Sequence, residues 1–482
     1  MKKIISRIAV LALIVGGFTS CDNELDQIPF DETATENAYL TASDFENAAR
    51  GIYATMTGSN SLGGTSYWGG SDTGGMLDAP DVLSDNVTFS QIGRFSRRTL
   101  HNWQYGPADY PLSGLYNIAY STIFAANQLL DNVGGFEGDN RDNVVAEAKA
   151  LRALAHFNVV TFFGKIPTES GDANGSLGIA YMTEPDPNAL PARETVGAVY
   201  AKIVEDLVAA AADINVTSEP GRLNRDAVNT LLSRVYLYMG EWQKAATTAS
   251  LVSATVAPRE SVVGVWEDTN RDGVLFYIPN ESTNLNLNVG VVWSQGAVSA
   301  IKPEYVVSYE LNELFQDQDI RKEAYTFVGT YQGEQYNAIK KLFGRPGQSN
   351  GMVDIKIFRA AEAPLNLAEA QFNLGNEGAA RAALDQVRSK RYTTPPSGET
   401  GNALRDAIRL ERRLEFAFEY QRFFDLKRWG QMIERDGRGD KADGTGTASD
   451  VQVLPANSYK FELPLSQGAM DRNPNNVQNP GY

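Results

Sequence analysis

The chain has 482 residues and a formal charge of −16, with 43 Lys and Arg against 59 Asp and Glu. An acidic chain without a basic tail excludes nucleic-acid binding, which needs clustered cations to displace counterions. The length exceeds one simple core, so two lobes or an extended scaffold with large insertions is expected.

Met1, Lys2, Lys3 and Arg7 accompany a mostly apolar run from Ile4 to Phe18, followed by Thr19, Ser20 and Cys21. A charged head, a short apolar core and small residues before a cut read as a secretory signal over residues 1–20. That core is shorter than the about 20 residues of a membrane span. Cys21 is the only cysteine, so no internal disulfide can form. Its position marks it for lipidation; the alternative is a cysteine within a discarded signal. Acyl chains hold a protein on a membrane at about 0.8 kcal/mol per buried CH₂. Cleavage removes Lys2, Lys3 and Arg7 and no acid, so −16 becomes −19 in the mature chain.

Helical periodicity then dominates. Asn143–Phe163 puts Val144, Ala148, Leu151, Ala155, Val159 and Phe162 on one side and stops at Gly164, with Pro167 beyond. Thr195–Ile214 is Ala-rich and amphipathic. Asp226–Met239 and Trp242–Ser253 pair around Gly240, and Pro364–Leu374 and Ala379–Arg391 pair around Gly375. Leu232, Tyr236, Gly240, Trp242 and Ala245 have tetratricopeptide spacing, with Leu367, Ala368, Gly375 and Ala380 in the corresponding places. Glycine allows the tight turn and alanine lets two helices approach closely. Ala403–Trp429 reads as one long charged and aromatic helix. The expected fold is all-α: about four helical hairpins of tetratricopeptide type with large loop-rich insertions. The domain plan is a signal at 1–20 and a single domain at 21–482, with irregular insertions near 58–111 and 255–350. Loops on a rigid scaffold are where binding residues concentrate.

Catalysis finds little support. No nucleophile elbow, phosphate loop, dinucleotide fingerprint or zinc-protease helix is present. His156 falls within a helix and reads as structural, whereas His101 lies in a loop and could touch a ligand. Sugar binding needs flat apolar faces and a few orienting polar groups. Tyr67 and Trp68, followed by two glycines, are candidates for stacking, with Trp103 beside them. Asp85 and Asn86 could bracket a hydroxyl pair or a peptide backbone. The alternative for Trp68 and Trp103 is a core role pinning a long loop; Trp293 reads as core. Asp268, Asn270 and Asp272, with Gly273 next, match the first half of a calcium loop. Pro279 stands where the closing Glu would be, so the alternative is an Asx-rich turn before a strand. No cofactor is required; a structural Ca²⁺ is the one candidate. The charges Glu411, Arg412, Glu415, Glu419, Arg422, Asp425 and Arg428 read as structural ion pairs.

Several segments carry a family resemblance. The end of the chain, Asn473 to Tyr482 after Leu463-Pro464-Leu465, resembles the terminal signature of the SusD/RagB family. Leu151-Arg152-Ala153 with Phe162-Phe163-Gly164 and Pro167, Arg359 with Glu362 and Ala368-Glu369-Ala370, the pair Asp319 and Arg321, and Glu411 to Gly430 are similar to its internal motifs in the family's order. The acidic start Asp22, Glu24 and Asp26 resembles the surface-display signal of Bacteroidota lipoproteins. The resemblance implies a lipid-anchored protein of the outer membrane, displayed on the cell surface. It also implies a SusC-like TonB-dependent transporter as partner, with the repeat face turned toward it. The implied ligand is an oligosaccharide, or, as in RagB-like members, a peptide.

Overall fold

The computed structural model describes residues 38–57, 67–69, 75–109, 111–281, 289–297, 300–347 and 351–482. The signal, Cys21 and the acidic start lie outside the described residues.

The main helices are α1 (Ala42–Thr57), α2 (Ser113–Asn132), α3 (Arg141–Phe163), α4 (Val196–Asp213), α5 (Arg225–Met239), α6 (Trp242–Ala249), α7 (Glu362–Asn373), α8 (Glu377–Arg388), α9 (Gly401–Glu415) and α10 (Arg422–Arg428). Their ends are written locally. The Thr195 hydroxyl accepts the Ala198 N–H at the start of α4, and the Asn224 side chain accepts the Ala227 N–H at the start of α5. Gly240 closes α5 at φ 73°, a left-handed turn that glycine takes without strain. Each helix packs on the next, α1 on α2 and so on through α9, so a continuous stack forms. Ala245, Ala368 and Ala380 are buried where α6, α7 and α8 meet, as the repeat spacing requires. The fold is the expected all-α, tetratricopeptide-like scaffold. No helix among the described residues is long and apolar enough to cross a membrane.

The insertions fold into short antiparallel ribbons. Strand β1 (Val87–Phe89) pairs with β5 (Tyr305–Val307), β2 (Val274–Ile278) with β8 (Ile355–Arg359), and β3 (Ser294–Ala297) with β4 (Ala300–Pro303). Strand β6 (Thr326–Tyr331) pairs with β7 (Glu334–Ile339), and β9 (Ile433–Glu434) with β10 (Val453–Leu454). The β1–β5 pairing stitches the first insertion to the second, with Phe89 opposite Tyr305.

The single helix expected over Ala403–Trp429 is broken. α9 ends at Glu415 and α10 starts at Arg422, with Phe418 at φ 64° and Tyr420 at φ 59° between them. Residues distant in sequence hold the break. The buried Asp81 carboxylate accepts the N–H groups of Phe418 and Tyr420 at 3.0 and 3.2 Å. The Lys341 ammonium donates to the carbonyls of Glu415 and Ala417 at 3.0 and 2.8 Å, neutralising the exposed end of α9. Burial pushes Asp81 up to about 6, against the lowering effect of its hydrogen bonds. The charges of this segment are ion pairs, as expected. Glu415 meets Arg359, Arg391 and Arg321 at 2.8, 2.8 and 3.3 Å, and Arg412 meets Asp425 at 3.2 Å.

Candidate ligand-binding site

Residues 91–98 leave β1 and turn sharply along the second insertion. Gly93 is required there, because a Cβ would lie 2.7 Å from the Glu304 side chain. Glu304 is buried and its carboxylate accepts the backbone N–H of Ser96 and, at 3.2 Å, the Arg94 guanidinium. The Tyr305 hydroxyl donates to the Ser96 carbonyl at 2.8 Å, and Arg97 pairs with buried Asp78 at 2.6 Å. These contacts over-determine the loop, and Phe95 is held at φ 62° with 45% of its surface exposed. A bulky residue at positive φ costs of order 1–3 kcal/mol and persists only where its surroundings impose it. Phe89 props the ring edge-on at 5.6 Å, and Arg98 lies 5.9 Å above it. Ile92, from the same loop, packs on the core of the β6–β7 ribbon beside partly exposed Phe327, Tyr331 and Phe343. The result is an aromatic platform, the exposed Phe95 ring, braced by both insertions.

A chain of polar contacts links it to a polar recess. Arg98 and Asn102 both reach Asp450, at 2.9 and 3.3 Å, joining the platform to the segment that leads into β10. Beyond that segment is a cavity of about 700 Å³ lined by Asp85, Glu310, Arg413, Arg422, Arg435 and Arg438, among others. The volume lies in the range of ligand sites. Burial works to raise the Asp85 carboxyl, but Arg413 at 3.3 Å and Arg422 at 2.7 Å outweigh it and hold the group well below the usual carboxylate range. A permanently ionised, doubly paired carboxylate cannot serve as a general acid. Such a lining offers fixed donors and acceptors to hydroxyls or amides.

Of the ligand-binding candidates named from the sequence, Asp85 alone lines this cavity; Arg422, read there as a structural ion pair, lines it with Asp85 as its partner. Tyr67 and Trp68 are fully buried: the Tyr67 hydroxyl accepts from Asn158 at 2.7 Å, and Trp68 meets the edge of Tyr420 at 5.1 Å. Asn86 is buried between Asp81 and Arg413. Trp103 donates to the Leu83 carbonyl at 3.0 Å and its face is covered by Arg435 at 3.9 Å. No face of these rings is open for stacking, so the core reading replaces the binding one. Trp293 is core, as expected. His101 is buried too, between the Val82 carbonyl and the Ser449 hydroxyl at 2.9 and 3.0 Å, and burial holds it neutral. His156 is structural. Its Nε2 accepts the Met182 N–H at 3.0 Å, and burial pushes it down to about 3.

The calcium expectation meets a different arrangement. Asp268 pairs with Lys356 and with Arg345 at 2.8 Å, and accepts the Asp354 N–H at 2.7 Å. Asn270 accepts the Asp272 N–H at 3.1 Å, and Asp272 accepts from Ser261 at 2.6 Å. Cations occupy the place where a calcium loop needs uncompensated oxygens. These contacts make the Asx-rich turn the better description.

Comparison with known proteins gives two family matches. A model described as SusD family matches residues 316–482, and one described as starch-binding associating with outer membrane matches residues 76–237. SusD-like protein P2 of Formosa agariphila is 26% identical over 100% of both chains. The chain belongs to the SusD/RagB family. A candidate sugar-binding protein of Bacteroides vulgatus is 26% identical, with a TM-score of 0.80 over 94% of this chain and 100% of its own. A SusD superfamily protein of Bacteroides thetaiotaomicron is 25% identical, with a TM-score of 0.79 over 91% of this chain and 100% of its own.

The SusD/RagB motifs seen in the sequence turn out to build the frame. Arg152 pairs with Asp206 at 2.7 Å, joining α3 to α4. Asn479, in the terminal signature, donates to the carbonyls of Phe163 and Leu463 at 2.9 and 2.6 Å. The platform of this SusD/RagB protein was missed in the sequence because Phe95 is a lone aromatic among arginines. Its one local signal is Gly93 two residues earlier.

Proposed function

We propose that this protein is a cell-surface lipoprotein of the outer membrane that captures oligosaccharides and passes them to a SusC-like TonB-dependent transporter. The carrying observation is Phe95, strained, half-exposed and braced by residues of both insertions. A fixed aromatic face suits a sugar ring, and the Arg–Asp lining of the cavity suits its hydroxyls. Family membership supports nutrient binding, and the names of the relatives point to carbohydrate. The role is binding, with no catalytic step.

Phe95→Ala is expected to lower affinity for the bound glycan by about tenfold, the loss of one well-packed contact of about 1.4 kcal/mol. The protein should stay folded, since the ring is half in solvent. Calorimetry after a glycan-array and peptide-panel screen tests this. Unchanged affinity removes Phe95 from the site, binding to peptides alone selects the RagB-like reading, and release of cleavage products selects a hydrolase.

Cys21→Ser is expected to move the protein from the membrane fraction to the soluble one, because the acyl anchor is then absent. Membrane retention of the processed variant argues for another means of attachment.

A further inference from the structure

A second, smaller recess lies among the repeat helices and shares no residue with the platform or the polar cavity. Trp242, Phe372 and Trp429 supply rings, and Arg405, Arg409 and Glu369 supply charge, around about 220 Å³. The one acid is already engaged. Glu369 accepts from Arg428 at 2.7 Å and from the Trp429 indole at 2.8 Å. Arg405 pairs with exposed Asp406 at 2.9 Å and donates to the Asn402 side chain at 3.2 Å, both at the protein surface. Arg409 lies 4.7 Å above the Trp429 ring and, among the described residues, makes no ion pair or hydrogen bond. Partial burial disfavours its charge and Glu369 nearby favours it, while Arg405 and Arg428 add repulsion, so that its ionisation is on balance weakened. A half-buried guanidinium without an acceptor, in a chain of net charge −16, is a local reversal of sign.

The volume decides what fits. It is smaller than the roughly 300–1,000 Å³ of sites that enclose a whole small-molecule ligand. It accommodates one side chain. We propose that this recess receives a Glu or Asp side chain of a partner protein, whose carboxylate binds Arg409 and Arg405 while its stem packs on Trp242 and Phe372. Arginine on an aromatic face is already ordered, so little freedom is lost on pairing.

The test titrates the mature protein by calorimetry with the blocked peptide Gly-Phe-Glu-Phe-Gly, its Gln analogue, and glucuronate. The Glu peptide should bind about tenfold tighter than the Gln peptide, the difference expected of a charge-assisted pair, and its affinity should fall with added salt. Arg409→Gln should abolish that Glu-over-Gln preference. No binding of the Glu peptide, equal affinity for the two peptides, or tighter binding of glucuronate than of the Glu peptide overturns the proposal. The wild-type peptide comparison stands whether or not the variant folds.

Discussion

Glu415→Ala is expected to destabilise the protein by about 3–5 kcal/mol, the range for removing one partner of a buried ion pair. Glu415 is fully buried and meets three guanidinium groups, those of Arg359, Arg391 and Arg321. Without it three cations remain in the interior, with Glu419, Glu411 and Asp319 left to offset them. Burial alone would raise the Glu415 carboxyl, but these arginines dominate and hold it well below its usual 4.5. A group whose pKa is depressed on folding contributes its stability above the unfolded value of 4.5, and that contribution is lost as pH falls through the folded value. Glu415→Gln should therefore lower the urea midpoint at pH 7 and flatten the loss of stability below pH 4.5. An unfolding free energy at pH 7 within about 0.5 kcal/mol of wild type would mean that the network relaxes around the gap.

The stack of helices was legible because its signals are local. The apolar spacing of Asn143–Phe163 with its stop at Gly164, and the turn at Gly240, each lie within a few residues of what they specify. The break after Glu415 was not legible, because Phe, Glu and Tyr are acceptable in a helix. It is imposed by Asp81 and Lys341, more than 70 residues away in sequence. The same distinction governs the site. Whether a tryptophan in a glycine-rich loop faces water depends on what packs over it. Trp68 finds Tyr420, and Trp103 finds Arg435. Phe95 stays exposed because Glu304 and Tyr305 bond the N–H and the carbonyl of Ser96, Glu304 also holds the Arg94 side chain, and the ring is left unpacked on one face. Asp268 satisfies the spacing of a calcium loop, but spacing does not reveal that Lys356 and Arg345 reach it first.

Trp68→Ala tests that distinction directly. The side chain is 0% exposed and sits beside Tyr67 at 5.5 Å and Tyr420 at 5.1 Å. Truncating a buried tryptophan leaves a cavity and is expected to cost about 3–5 kcal/mol. The loss would loosen the contact between the first insertion and the turn that separates α9 from α10, since Tyr420 lies in that turn and donates its hydroxyl to the Ile357 carbonyl. Trp68→Phe keeps a ring against Tyr420 and should lose less. The decisive comparison is with Phe95→Ala. Trp68→Ala should lower the urea midpoint while its folded fraction binds glycan as wild type does, and Phe95→Ala should do the reverse. A Trp68→Ala protein with wild-type stability and no glycan binding would move this ring from the core into the site, and would require the first insertion to open when ligand arrives.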